Sequence, residues 1–185
     1  MILKILVAGG FGVGKTTLVG AISEITPVRT EQAMTTASIG VDHTTLIPHK
    51  TETTVALDYG RVTFDTDLSL ALFGLPGQDR FSYMWEAMER GAVGAVVLVD
   101  TRRIQDSWSA IGWYEQRAVP FVVGVNQFDD CDRYSADEIR QALELPQHRP
   151  VIHCDARRRT SVAHLLGELT QYALSTHQSR SQEHP

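Results

Sequence analysis

Cysteine is scarce: the 185-residue chain has two, Cys131 and Cys154, far apart and without a C-x-x-C pairing. That excludes a disulfide framework and a cysteine-rich zinc site, and a reducing, cytoplasmic setting is expected. The histidines, His43, His49, His148, His153 and His164 among them, show no H-E-x-x-H spacing, so no histidine-built metal site is expected. No apolar run approaches the ~20 residues of a membrane-spanning helix. Met1 to Ala8 is too short for a signal h-region and passes straight into glycines, which favours a buried strand. With Ile2 in second place and Ser181-Gln182-Glu183-His184-Pro185 at the end, no direct membrane anchor is expected, and recruitment to a membrane is expected only through a partner. Positive charge is also short, at 17 Lys and Arg against 22 Asp and Glu, a formal net charge of −5. Such a chain has no broad positive field for nucleic acid or anionic membrane, and nucleic-acid binding is not expected.

What the chain does have is the composition of an ordinary globular domain, 43% apolar and 21% charged. Short apolar runs alternate with helix-like stretches, the pattern of strands joined by crossover helices in an α/β fold. Strands are predicted at Ile2 to Ala8, Thr54 to Asp65, Leu68 to Phe73, Ala92 to Asp100, Val119 to Asn126 and Pro150 to Cys154. Runs such as Ala95-Val96-Val97-Leu98-Val99 lack alternation, as expected of strands covered on both faces. The polar break Asp65-Thr66-Asp67 predicts that the second and third strands pair antiparallel at the sheet edge. Helices are predicted near Lys15 to Ile25, Phe81 to Arg90, Gln105 to Arg117, Ser135 to Leu143 and Ser161 to Ser175, with Ser135 and Glu138 as a capping box. Thr26 to Thr53, rich in threonine and interrupted by Pro27, Gly40 and Pro48, reads as a long functional loop. The domain is expected to span 1–175, with a disordered tail over 176–185.

Gly9-Gly10-Phe11-Gly12-Val13-Gly14-Lys15-Thr16 matches G-x-x-x-x-G-K-[ST], follows an apolar strand and opens an amphipathic helix. Glycines let backbone N–H groups turn inward as an anion nest, and the helix N-terminus adds a positive dipole. Lys15 neutralises β- and γ-phosphate charge, and the Thr16 hydroxyl can ligate Mg²⁺. Gly10, Phe11, Gly12, Val13, Gly14 and Thr17 complete the phosphate-binding set. The fold class that follows is the three-layer P-loop NTPase fold: α/β, a mostly parallel six-stranded sheet with one antiparallel edge strand, helices on both faces.

Asn126-Gln127-Phe128-Asp129 resembles the N-K-x-D guanine motif of small GTPases. That resemblance gives Asp129 the base-specifying role and Asn126 the bracing role, with Gln127 in place of the lysine that covers the base. A polar strand-to-helix loop is the plainer alternative. His153-Cys154-Asp155-Ala156-Arg157 lies where small GTPases carry S-A-K, which would turn the Ala156 N–H to the guanine carbonyl, with Arg157 beside it. Gly74-Leu75-Pro76-Gly77-Gln78 resembles the D-x-x-G-Q switch of Ras-like and Arf-like proteins. By that resemblance Gly77 senses the γ-phosphate and Gln78 orients the attacking water. A Pro-Gly turn after a strand is the other reading. Two positions depart from the pattern: Gly74 stands where the family aspartate holds Mg²⁺ through water, and Phe11 where many members have a small residue. Slow hydrolysis is the expectation. The switch threonine that ligates Mg²⁺ is assigned to Thr54, with Thr53 and Thr51 as competitors. No arginine stands out as an intrinsic finger, Arg80 being the nearest candidate.

The ordered motifs, from the P-loop through V-A-L-D-Y-G, F-G-L-P-G-Q, G-A-V-V-L-V-D and N-Q-F-D to D-A-R, resemble the actinobacterial conservon GTP-binding proteins, relatives of the bacterial polarity GTPases. The resemblance implies a GTP/GDP switch with Mg²⁺ that works beside sensor-kinase-like and roadblock-fold proteins. Two alternatives stand: a nucleotide-binding scaffold with negligible hydrolysis, and an ATPase in which Asp100 holds the Mg²⁺ water.

Overall fold

The computed structural model describes residues 1–34, 53–65, 67–77, 82–129 and 131–182. The chain runs β1 (Ile2–Gly9), α1 (Lys15–Ile22), β2 (Val28–Met34), β3 (Thr53–Asp65), β4 (Leu68–Gly74), α2 (Ser82–Glu89), β5 (Ala92–Val99), a 3₁₀ segment (Thr101–Ser107), α3 (Trp108–Gln116), β6 (Phe121–Asn126), α4 (Ala136–Ala142), β7 (Val151–Cys154) and α5 (Arg159–Gln182). One sheet of order β2-β3-β4-β1-β5-β6-β7 holds all the strands. β4, β1, β5, β6 and β7 are mutually parallel, and β3 is antiparallel to both β2 and β4.

The central strands are largely apolar over their buried stretches because each feeds two cores. Ile5 and Val7, Val96 and Leu98, and Val122 point to one face, packed with Leu18, Val19 and Ile22 of α1 and Val162, Leu165, Leu166 and Leu169 of α5. Leu6 and Ala8, Ala95, Val97 and Val99, and Phe121, Val123 and Val125 point to the other, against Trp85 of α2, Ala110, Ile111 and Tyr114 of α3, and Ile139 of α4. Successive residues of a strand alternate faces, so a strand covered on both sides needs apolar residues at every position.

All six expected strands are present, and the antiparallel pairing of the two joined by the 65–67 break holds. The edge differs. A seventh strand, β2, pairs with β3 from Val28↔Tyr59 to Met34↔Thr53, so the reading of residues 26–53 as loop is corrected over 28–34. The cause is length: β3 spans 13 residues, while β4 reaches only from Asp58 onward. The N-terminal half of β3 needs another partner for its backbone groups. Helix bounds shift as well. The first helix stops at Ile22, where the Ser23 hydroxyl takes the Arg61 amide at 3.2 Å and donates to the Ile25 carbonyl at 2.8 Å. The expected 105–117 helix is a 3₁₀ segment followed by α3. α5 continues to Gln182, so the predicted tail is helical from 176 to that point. The capping box at Ser135 and Glu138 is formed, with both reciprocal bonds present.

Candidate functional site

The carboxyl ends of β1, β4, β5, β6 and β7 come to one edge of the sheet, and the Gly9 to Thr16 loop turns there. Gly9, Gly12 and Gly14 take φ of 129°, 74° and 106°, a region closed to most side chains. Gly14 caps α1 with no side-chain partner for its first amides. Those N–H groups face outward from the helix start and suit an anion. Lys15, 9% exposed, folds back so that its ammonium donates to the Gly9 carbonyl at 2.9 Å and the Gly10 carbonyl at 2.7 Å. Burial pushes its pKa down to about 8, and the Asp58 charge opposes that shift. Val13 is buried, while Phe11, Gly12, Thr16 and Thr17 are exposed.

Gly77 closes over this loop. A Cβ there would stand 2.6 Å from the Gly10 carbonyl carbon, the Gly9 oxygen and the Lys15 ammonium, so only glycine allows the approach. The expected catalytic Gln78 lies outside the described residues, as do Thr51 and Arg80. Thr54 is described only as backbone, paired with Ala33 in β2.

A carboxylate that the sequence reading did not single out faces Thr16. Asp58, 8% exposed, accepts the Thr16 hydroxyl at 2.5 Å. It sits on β3 directly across from Gly74, and a Cβ added at Gly74 would lie 3.1 Å from its Oδ2. A carboxylate therefore stands beside position 74, on the cross-strand neighbour. Two signals were legible: a charged residue inside the V-A-L-D-Y-G strand, and a glycine where an acid is expected. Thr16 and Asp58 are hard oxygen donors side by side. They fit Mg²⁺, which takes one or two protein oxygens and completes its shell with phosphate and water.

Asn126 ends β6, 5% exposed, and ties two loops together. Its Nδ2 donates to the Val13 carbonyl at 2.9 Å, and its Oδ1 accepts the Ala156 amide at 3.0 Å. Asn126 thus joins the phosphate loop to the loop after β7, and the Ala156 amide, expected to turn toward a guanine carbonyl, here donates to Asn126. Gln127 accepts from Arg133 at 3.0 Å through its side chain. Asp129 is exposed and held by Arg157, whose Nη1 and Nη2 donate to its two oxygens at 2.8 and 2.9 Å. Arg157 is anchored from the other side by Asp155, Nε to Oδ1 at 2.9 Å. Arg157 hydrogen bonding holds the Asp129 carboxyl below its usual range. Asp100 does not face the phosphate loop as an available acid. It is 4% exposed, and both oxygens accept from Arg102, at 2.9 and 2.8 Å; a magnesium-water role for Asp100 loses its support.

The family model described as "Conserved hypothetical ATP binding protein" matches residues 7–176. An uncharacterized protein of Methanocaldococcus jannaschii is 29% identical over 132 residues, 70% of this chain and 73% of that protein. The Ras-related protein Rab-7b of Homo sapiens is 24% identical over 192 residues, 98% of this chain and 87% of that protein. The G domain of the T. maritima FeoB iron transporter superposes with a TM-score of 0.64 at 16% identity, covering 94% of this chain and 99% of that one. The longer cytosolic domain of the same transporter, in a GDP form, gives 0.66 at 15% identity, and there the chain spans 64% of the neighbour's length. These neighbours share the three-layer fold.

Replacing Asn126 with Ala leaves the Val13 carbonyl and the Ala156 amide without a partner in a buried position. The expected loss is about 1–3 kcal/mol, read as a lowered midpoint in urea denaturation, whereas Gln127→Ala on the exposed side leaves the midpoint in place.

Proposed function

The chain belongs to the family described as conserved hypothetical ATP-binding proteins, and we propose that its nucleotide is nonetheless a guanine nucleotide: it binds GTP or GDP with Mg²⁺ and hydrolyses GTP slowly as a molecular switch. The observation that carries this reading is Asn126, bonded at once to the phosphate loop and to the Ala156 loop, with Asp129 on the same turn. That brace supports a base site at the end of β6 in line with the phosphate loop. Asp129 would accept two guanine N–H groups once Arg157 releases it, and an exposed ion pair exchanges readily.

The loop amides, Lys15 and the α1 dipole would hold the β- and γ-phosphates. Thr16 would ligate Mg²⁺, with Asp58 beside it in the place of the aspartate absent at Gly74, and Thr54 is the proposed switch threonine. Bound Mg²⁺ would neutralise phosphate charge. Gly77, pressed against Gly9 and Gly10, is close enough to report a γ-phosphate through its backbone, and Gln78 is proposed to orient the attacking water. The resemblance to conservon GTP-binding proteins supports signalling with sensor-kinase-like and roadblock-fold partners, in the cytoplasm, with membrane recruitment through them.

The family's own description favours a second reading, adenine, and the Arg157 lock on Asp129 is consistent with it. Competition of GTP, GDP and ATP against a fluorescent GDP decides between them. Guanine nucleotides are expected to win on the wild type, and Asp129→Asn to lose that preference by about tenfold or more, because an amide in place of the carboxylate leaves the guanine N–H pair unmatched. ATP competing equally on the wild type overturns the guanine reading.

Asp58→Asn removes a charge next to Thr16. Magnesium is expected to slow GDP release in the wild type, and in the variant the dissociation rates with EDTA and with excess Mg²⁺ converge. Equal magnesium dependence in both proteins removes Asp58 from the metal site.

Lys15 gives a pH signature. Its pKa is about 8 in the free protein, and phosphate oxygens raise it on binding, because they favour the charged form. Below pH 8 the ammonium is charged in both states and affinity is flat. Above it the free protein has lost a proton that the complex keeps, so GDP affinity falls, by up to about tenfold per pH unit. Calorimetry at a pH just above 8 in two buffers of different ionisation enthalpy is expected to record proton uptake.

A further inference from the structure

Arg103 lies in the 3₁₀ segment after β5, and the helix breaks at it, with φ −145° and ψ 54°. From that break the side chain crosses to the phosphate loop, where Nη2 donates to the Phe11 carbonyl at 3.0 Å. The same nitrogen is 3.5 Å from where a Cβ on Gly12 would stand, so it lies against two successive loop residues. Asp100 and Asp106 flank the guanidinium, each at 3.8 Å. Neither makes the forked pair that Asp100 makes with Arg102. The side chain is 46% exposed. Together with Lys15 on the Gly9 and Gly10 carbonyls, two cations take three successive carbonyls of the loop, one from inside and one from the rim.

We propose that Arg103 is a catalytic arginine supplied in cis for GTP hydrolysis, an inference that rests on the guanine-nucleotide reading above. In the reaction a water oxygen bonds to the γ-phosphorus as the bond from that phosphorus to the β–γ bridging oxygen breaks. The electron pair leaves with GDP, and the water's proton ends on inorganic phosphate or solvent. Negative charge builds on the bridging and γ-oxygens, where a guanidinium stabilises it. Arg103 holds a neutral carbonyl in the free protein and exchanges it for phosphate oxygens, to which its hydrogen bonds are charge-assisted and stronger. The long ion pairs to Asp100 and Asp106 aim it at the loop without the forked grip that would keep it there.

The test compares wild type, Arg103→Ala and Arg103→Lys by fluorescent GDP titration, single-turnover GTP hydrolysis, and trapping of GDP with aluminium fluoride in the absence of any other protein. The wild type is expected to hydrolyse at a rate on the order of 10⁻² s⁻¹, the range of a cis arginine, and to trap the fluoride complex. Arg103→Ala is expected to keep its GDP affinity, lose on the order of 10³-fold in hydrolysis and fail to trap; the lysine variant does not recover, since one ammonium cannot replace the planar fork. Equal hydrolysis in wild type and alanine variant overturns the assignment. So does a parallel loss of GDP affinity, which would make Arg103 a brace of the loop, and so does a wild type that binds GDP yet traps no fluoride complex. A wild type that binds no guanine nucleotide overturns the guanine reading and this inference together.

Discussion

The Lys15 ammonium is the charge around which the site is arranged. A cation at 9% exposure is costly unless it has acceptors, and here the Gly9 and Gly10 carbonyls turn toward it. Turning them in one direction sends the peptide N–H groups the other way, which is the orientation an anion needs. The glycines at 9, 12 and 14 make that flip possible through positive φ, and Gly77 can pack on the result only because it has no side chain. The charge of Asp58 opposes the effect of burial on the lysine.

Two ends of the site differ in rigidity. The phosphate end is built from buried contacts: Lys15, Asp58 and Asn126 are all below 10% exposure, and Asn126 joins loops that are distant in sequence. The proposed base end is built from exposed charges, with Asp129 and Arg157 side chains at 76% and 53%, screened by solvent and free to re-pair. On the proposed reading phosphate binding is therefore preorganised, while base selection requires an exchange of partners.

Much of this was legible in the sequence, for identifiable reasons. The P-loop is readable because its backbone demands glycine at fixed spacing, and the doubly covered strands because they carry no polar position. Asn126 is readable because a polar residue closing an apolar strand has few structural uses. β2 was not, since Val28 to Met34 has no clear alternation and owes its strand to the unpaired half of β3, a fact of register. The continuation of α5 past Thr176 escaped notice because its last turns are polar on all sides. Asp58 required knowing that β3 lies antiparallel to β4 with Asp58 opposite Gly74, and Arg103 required the break in the 3₁₀ segment; both are consequences of tertiary pairing.

The move of the carboxylate from β4 to β3 has a mechanical consequence. On β4, parallel to β1 and next to it, an acid would belong to the rigid centre of the sheet. On β3 it sits at Asp58, which with Tyr59 lies where the strand's neighbours overlap, paired with Arg29 of β2 on one side and Gly74 of β4 on the other. Its position thus depends on the pairing of β3 with both of its neighbours. The same strand begins at Thr53 and Thr54, so the proposed switch threonine and the Thr16-facing carboxylate ride on one continuous backbone only a few residues apart. Any shift of β3 along β4 moves both oxygen donors together relative to Thr16 and Lys15. In a protein with aspartate at position 74, the carboxylate beside Thr16 and the switch threonine would belong to different strands. Here a single strand carries them, and the geometry around Thr16 follows the register of β3.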